Sequence, residues 1–455
     1  MLWIAAPLAA SRPSMAGQVL STREDIVPLT GLNVFEQGTL PRWARVRQMF
    51  DADEVADIAQ AVADELTRPG TGDAITPGAR VAILAGSRGV DRVAEVIRAL
   101  ADGVRSRGGV PFVVPAMGSH GGATAEGQAA ILAHYGITEA SMGCPVRSCM
   151  DTVHLGDVLG DVPVYVDRLA YEEADLVIPV NRVKPHTDFA GPVESGLAKM
   201  LAIGLGKQRG AEAFHSRGYG EFPRLIPAVV ASTLAKVPIP FGVALVENAF
   251  SRCALVEAVP AARLADREPE LLALARERLG RLPEPPIDVL VVDRIGKDVS
   301  GVGADPNVLN RDFLGIVDRS LDRPRIQRVV FRDLTDDSEG NATGIALADV
   351  VTRRLVDRVD VTRTYMNAVT SKNPEGARVP LTAADDRQAL YWALACCVGT
   401  RPETARIARI ESTKHVDHLW ASEPLLPDLL ATGRVEQLGE PEPVRFDAAG
   451  MLAED

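Results

Sequence analysis

Aromatic side chains make up only 5% of the 455 residues, cysteine occurs five times, and the acidic residues outnumber the basic ones by enough to give a net charge of -12. Each scarcity excludes something. The five cysteines (Cys144, Cys149, Cys253, Cys396, Cys397) contain no C-x-x-C pair and are odd in number, so no disulfide framework is expected. Cys396 and Cys397, in the apolar run YWALACC, read as small core residues. The acidic balance lacks the basic footprint that nucleic acid requires, although a local cluster of cations can still hold a small anion. The N-terminal apolar run in MLWIAAPLAASRPSMAG is too short to span a bilayer and no basic residue precedes it, so neither a membrane nor export is expected. Met15 is an alternative start, and the expected location is the cytoplasm. Also missing are a G-x-G-x-x-G fingerprint with its later acidic residue and a Walker A loop.

What is present is a globular composition, 46% hydrophobic and 24% charged, on a chain long enough for two domains. Strand-like runs alternate with helical ones: RVAILAG (80–86), a helix over 91–109, PFVVPAMG (111–118), a helix over 124–136, ADLVIPV (174–180) and PFGVALVEN (240–248). A helix over 267–282 runs into PEPP (283–286). A second series follows, with IDVLVVDRIG, RIQRVVFRDLT and a helix over NATGIALADVVTRRLVDRV. The expectation is an α/β protein of two α/β domains, 1–285 and 286–455, with largely parallel sheets and an active-site cleft between the domains. The last segment is expected to pack back on the first domain.

In such sheets function gathers in loops past the carboxyl ends of strands. Three glycine-bearing loops sit there: AGSRGVDR with Ser87 and Arg88, AMGSHGGAT with His120, and the stretch from Asn181 to Gly218 with His186, Lys199 and His215. Glycine lets the backbone approach a ligand, so a phosphate cradle, a metal site and a cofactor anchor all remain open for the third loop. His120 and His186 occupy equivalent sheet positions, and a pair of imidazoles suits acid–base work on both faces of a substrate. Lys199, with Ser195 as the expected helix N-cap, is either a snorkelling surface lysine or a desolvated nucleophile able to hold a cofactor. His215 is a candidate metal ligand, but one histidine alone makes no metal site. The other histidines read as structural: His134 at a helix end, His154 in a strand, and His415 and His418 in a solvated loop.

Taken together these residues resemble the nickel-pincer-nucleotide-dependent lactate racemase family. The family's TR loop is matched by Ser87 and Arg88, its G-x-H segment by GSH ending at His120, and its P-H-x-x-A-G segment by PHTDFAG with His186. Its S-G-G-x-K segment is matched by SGLAK, which contributes Ser195, Gly196 and Lys199, and its later metal-reaching histidine by His215. DPNVLNR (305–311) resembles a second-domain segment of the family and contributes Asn307, Asn310 and Arg311 as substrate-side residues. The resemblance spans roughly residues 80 to 315. It implies that Lys199 holds a nickel-pincer nucleotide covalently, that His215 gives nickel a nitrogen, and that His120 and His186 are the acid–bases of a racemase or epimerase acting at C2 of a 2-hydroxy acid. Arg88 would orient a carboxylate or phosphate. The implied partners are the small-molecule acid and the enzymes that make the cofactor.

The departures cluster on the substrate side. PVE (192–194) looks like an insertion, Leu309 and Asn310 stand where the family has Tyr-Gln, and Phe313 stands at a lysine position. With Lys372 in the loop 370–380, these changes favour an acid larger or more polar than lactate. The rival readings are a cofactor-less hydratase, lyase or oxidoreductase, and a non-catalytic nucleotide- or sugar-acid-binding protein.

Overall fold

Runs of Val, Ile, Leu and Ala that are buried on both faces form the central strands of two sheets. The computed structural model describes residues 35–87, 89–312 and 325–453. In chain order the strands are β1 (Trp43–Gln48), β2 (Arg80–Ala85), β3 (Val110–Pro115), β4 (Thr152–Val158), β5 (Val162–Asp167), β6 (Leu176–Arg182), β7 (Phe241–Glu247) and β8 (Cys253–Pro260). They continue with β9 (Ile287–Ile295), β10 (Ile326–Leu334), β11 (Val350–Thr352), β12 (Leu381–Ala383), β13 (Ile407–Ser412), β14 (His415–Ser422) and β15 (Val435–Gln437).

The first sheet has the order β3-β2-β6-β7-β8, parallel except for β8. Alternation along its strands sorts side chains between two cores. In β2, Val81, Ile83 and Ala85 pack with helix Val93–Ser106, whereas Ala82 and Leu84 belong with helices Phe222–Leu234 and Leu264–Arg278. The second sheet has the order β12-β11-β10-β9-β13-β14-β1-β15 and is parallel from β12 to β13. β14, β1 and β15 complete it with antiparallel pairs. The α/β class with largely parallel sheets is therefore the observed architecture. Among the described residues no helix is long and apolar enough to cross a membrane.

Several local expectations are corrected. β1, expected in the first domain, is hydrogen-bonded into the second sheet, where Ala44 and Val46 are fully buried. The last segment stays on the second domain: β15 pairs with β1, and Arg409 donates to the Ala453 carbonyl. The helix expected over NATGIALADVVTRRLVDRV is instead a 3-10 turn, strand β11 and a short helix Arg353–Asp357. Val350 and Val351 are fully buried between β10 and β12, so tertiary pairing overrides the helical pattern. Cys396 is exposed and Cys397 half-buried, at the end of helix Asp386–Ala395. His415 and His418 lie on β14 rather than in a loop; three apart on a strand, they point to opposite faces.

Candidate functional site

The order of the first sheet reverses at β2, which has β3 on one side and β6 on the other. A crevice at the carboxyl ends of β2 and β6 follows from that reversal. A cavity of about 1070 Å³ lies there, lined by Ser87, His120, His186, Ser195 and Lys199 from the first domain and by Lys297, Asp305 and Thr413 from the second. His134 and Tyr135 also line it, and the Tyr135 hydroxyl donates to the Ser87 carbonyl (3.4 Å).

His120 is exposed at the end of the loop after β3. Its Nδ1 lies 2.7 Å from the Met117 carbonyl and 3.1 Å from Ser87 Oγ. A carbonyl only accepts, which assigns the ring proton to Nδ1 and makes Nε2 the basic nitrogen. Behind the loop, the buried Gln128 donates to the carbonyls of Gly118 (2.8 Å) and His120 (3.3 Å). Gln128 is in turn held by Lys207, whose fully buried ammonium donates to the Pro115 carbonyl (2.5 Å) and pairs with Asp167 (3.1 Å). Gly121 has φ +68° and a Cβ there would sit 2.5 Å from the Gly127 carbonyl carbon, so the turn requires glycine.

His186 follows β6. Its Nδ1 accepts from the Asp188 backbone N–H (3.0 Å), which places the proton of the neutral ring on Nε2. That Nε2 is in hydrogen-bond contact with Lys199 Nζ. The His186 ring stacks at 4.4 Å on Phe189, and Lys199 Nζ lies 5.8 Å from the centre of the same ring.

Lys199 ends a three-residue helix, Leu197–Lys199, that continues as a π-helical turn, Met200–Gly204. Ser195 is not its cap, contrary to expectation. The Ser195 backbone is bridged to Lys184, and Glu268, fully buried, accepts from the Ala198 N–H at 2.9 Å. A Cβ on Gly196 would sit 2.0 Å from Glu268 Oε1, so this position requires glycine.

His215 closes helix Lys207–His215. Its Nδ1 is buried and has no hydrogen-bond partner among the described residues. Burial, with the charges of Lys199 and Lys372 behind it, pulls its pKa down to about 4. The ring is therefore neutral, the form that ligates a metal. The Tyr219 ring lies 5.5 Å from that of His215 and 6.3 Å from that of His186, so it stands between the two. Among the described residues no group of three or more His, Cys, Asp or Glu could hold a metal ion.

The second domain meets this wall through Asn307, which donates to the His186 carbonyl (3.1 Å), and through Asp305, which pairs with Lys184 (2.8 Å). Burial pushes the Asp305 carboxyl up, but Lys184 and the Asn307 donors outweigh it and hold the group below its usual range. None of the residues expected on the substrate side lines the cavity, Asn307 included. Arg311 donates to the carbonyls of Leu347 and Gln327 and pairs with Asp349 (2.7 Å), all within the second domain. Asn310 caps the turn Pro306–Leu309 at φ +52°, and Leu309 is fully buried in the second core. Lys372, at φ +54°, does not line the cavity either, although its charge acts on His215. Arg88, Phe313 and the N-terminal run lie outside the described residues.

Glu194, Glu268, Arg276, Tyr135 and Tyr219 were not singled out from the sequence. Glu268 left a signal: it interrupts the apolar stripe of Leu264, Leu271 and Leu272. Glu194, in the stretch that looks like an insertion, is buried and accepts from the backbone of His186 (2.5 Å) and Gly191 (3.1 Å).

Among solved structures, the lactate racemase apoprotein from Thermoanaerobacterium thermosaccharolyticum matches at 15% identity and a TM-score of 0.46, over 82% of this chain and 89% of that one. A protein from Thermotoga maritima matches at 14% identity and a TM-score of 0.45, over 80% and 89%. No family model matches the sequence, and no curated protein does.

Proposed function

We propose that the protein is a racemase or epimerase acting at C2 of a 2-hydroxy acid, with a nickel-pincer nucleotide held by Lys199 and His215. The observation that carries this reading is that His120, His186 and Lys199 line one cavity, while His215 stands behind its lining and reaches His186 through the Tyr219 ring. The residues fit the group. His215 offers a buried, unpartnered nitrogen on a neutral ring, and Lys199 offers an amine held against an imidazole. Among the described residues no cluster completes a metal site, so nickel at His215 would need donors that the nucleotide brings. Ser87, Ser195 and Gly196 would border that nucleotide.

When bound, the group would supply a hydride acceptor for C2. The protein's own part is the hydroxyl proton. His120, with Nδ1 anchored, would take the proton on Nε2, and His186, which carries its proton on Nε2, would return one once Lys199 is joined to the nucleotide. Asn307 fixes the His186 backbone from the second domain, and closure of the two walls excludes water. The substrate would be an acid larger or more polar than lactate, a reading that Leu309, Asn310 and Arg311 do not support, because they lie off the cavity.

The test is co-expression with the cofactor-making enzymes, then intact mass, nickel content and a hydroxy-acid panel read by chiral chromatography. A mass increment on Lys199 with bound nickel and C2 inversion is expected, and His120→Ala and His186→Ala each lose activity by about 100-fold or more. Neither increment nor nickel would instead favour a cofactor-free hydratase, lyase or oxidoreductase, or a binding protein. Full activity in both histidine variants would end the two-base mechanism.

A further inference from the structure

Helix Leu264–Arg278 reaches the supports of both Lys199 and His186. At one point along it, Glu268 is buried in a stripe of leucines, a costly place for a carboxyl group. Its Oε2 takes the Ala198 N–H, one residue before Lys199, while Oε1 faces Gly196 so closely that no side chain fits there. About 12 Å further along the helix axis, Arg276 donates to Glu194 Oε1 at 2.5 Å. Glu194 in turn takes the backbone N–H of His186 on its other oxygen. Glu194 is 2% exposed and Arg276 is 42% exposed, so the arginine reaches in from the surface to neutralise a buried carboxylate.

We propose that this helix is the positioning element of the site: Glu268 sets Lys199 through the start of its helix, and Arg276, through Glu194, sets His186. The amine–imidazole contact then depends on two anchors on one helix, which carries Pro269 between them. Ser195 cannot replace Glu268, because its backbone is bridged to Lys184 and its side chain caps nothing. Neither Glu268 nor Arg276 lines the cavity, so their role is placement. The inference rests on the reading of Lys199 and His186 as the working residues.

The test uses the cofactor-free protein and reads the acetylation rate of Lys199 against that of Lys236, an exposed lysine just past helix Phe222–Leu234, in the same digest, by mass spectrometry. His186→Gln should change the Lys199 rate by about tenfold in the parent, and by less than about threefold in a Glu268→Ala or Arg276→Met background. Arg276→Lys should restore the large effect. Arg276 is partly exposed, so Arg276→Met opens no core cavity, and once circular dichroism shows it folded it decides alone where Glu268→Ala does not fold. A His186→Gln effect that stays near tenfold in these backgrounds, or that is absent from the parent, overturns the proposal. Cofactor mass and nickel on the co-expressed protein judge the functional reading separately. Coupling without cofactor uptake would sink that reading and leave the positioning role standing.

Discussion

Asn307 in the second domain donates a hydrogen bond to the main-chain carbonyl of His186 in the first, at 3.1 Å. The same amide donates to Asp305 Oδ1 at 3.0 Å, so one side chain links the Lys184–Asp305 ion pair to the histidine loop. Asn307→Ala removes both bonds and should lower stability by about 1–2 kcal/mol. It should also raise KM more than it lowers kcat, because the loss falls on domain closure. Urea denaturation and steady-state kinetics check this, and an unchanged KM with unchanged stability would contradict it.

Glu268 predicts a pH dependence of stability. Burial raises its pKa from 4.5 to about 7, so the folded protein holds a proton there that the unfolded chain releases. This contribution is fully present below about pH 4.5 and is lost as pH rises through about 7. Glu268→Gln should therefore gain on the parent between pH 5 and pH 8, by up to about 3 kcal/mol. Parallel stability profiles for the two proteins would show that Glu268 does not titrate in this window.

Lys207 and Asp167 are both fully buried and 3.1 Å apart. Lys207→Met leaves the Asp167 carboxylate without its cation and frees Gln128 from behind the His120 loop. A loss of about 3–5 kcal/mol is expected, together with a fall in activity, since His120 loses its backing. A midpoint of denaturation like that of the parent would rule this out.

His215→Ala removes the unpartnered imidazole without touching Lys199. The co-expressed variant should keep the mass increment on Lys199 and lose most of its nickel, as measured by elemental analysis. Full nickel retention would place the metal elsewhere.

The strands and loops that carry the site follow from local sequence. Strands β2, β3 and β6 are short apolar runs ended by glycine, proline or polar residues, and a parallel sheet with loops at its carboxyl ends follows from that rhythm. His120 and His186 stand out because they sit just past strands, where no strand or helix needs an imidazole, whereas Lys199 on its helix reads equally as a snorkelling surface lysine. Pairing between distant segments was decided only in three dimensions. β1 joins a sheet whose other strands lie more than 200 residues away, and no local period announces that. The same holds for side chains whose role is set by a distant partner. Arg311 looked like a substrate cation and is consumed by Asp349, while Glu268 and Glu194 looked ordinary and fasten Lys199 and His186. Residue type and spacing determine which groups can do chemistry. Burial and the direction of each hydrogen bond, which depend on the whole packed chain, decide which of them face one another.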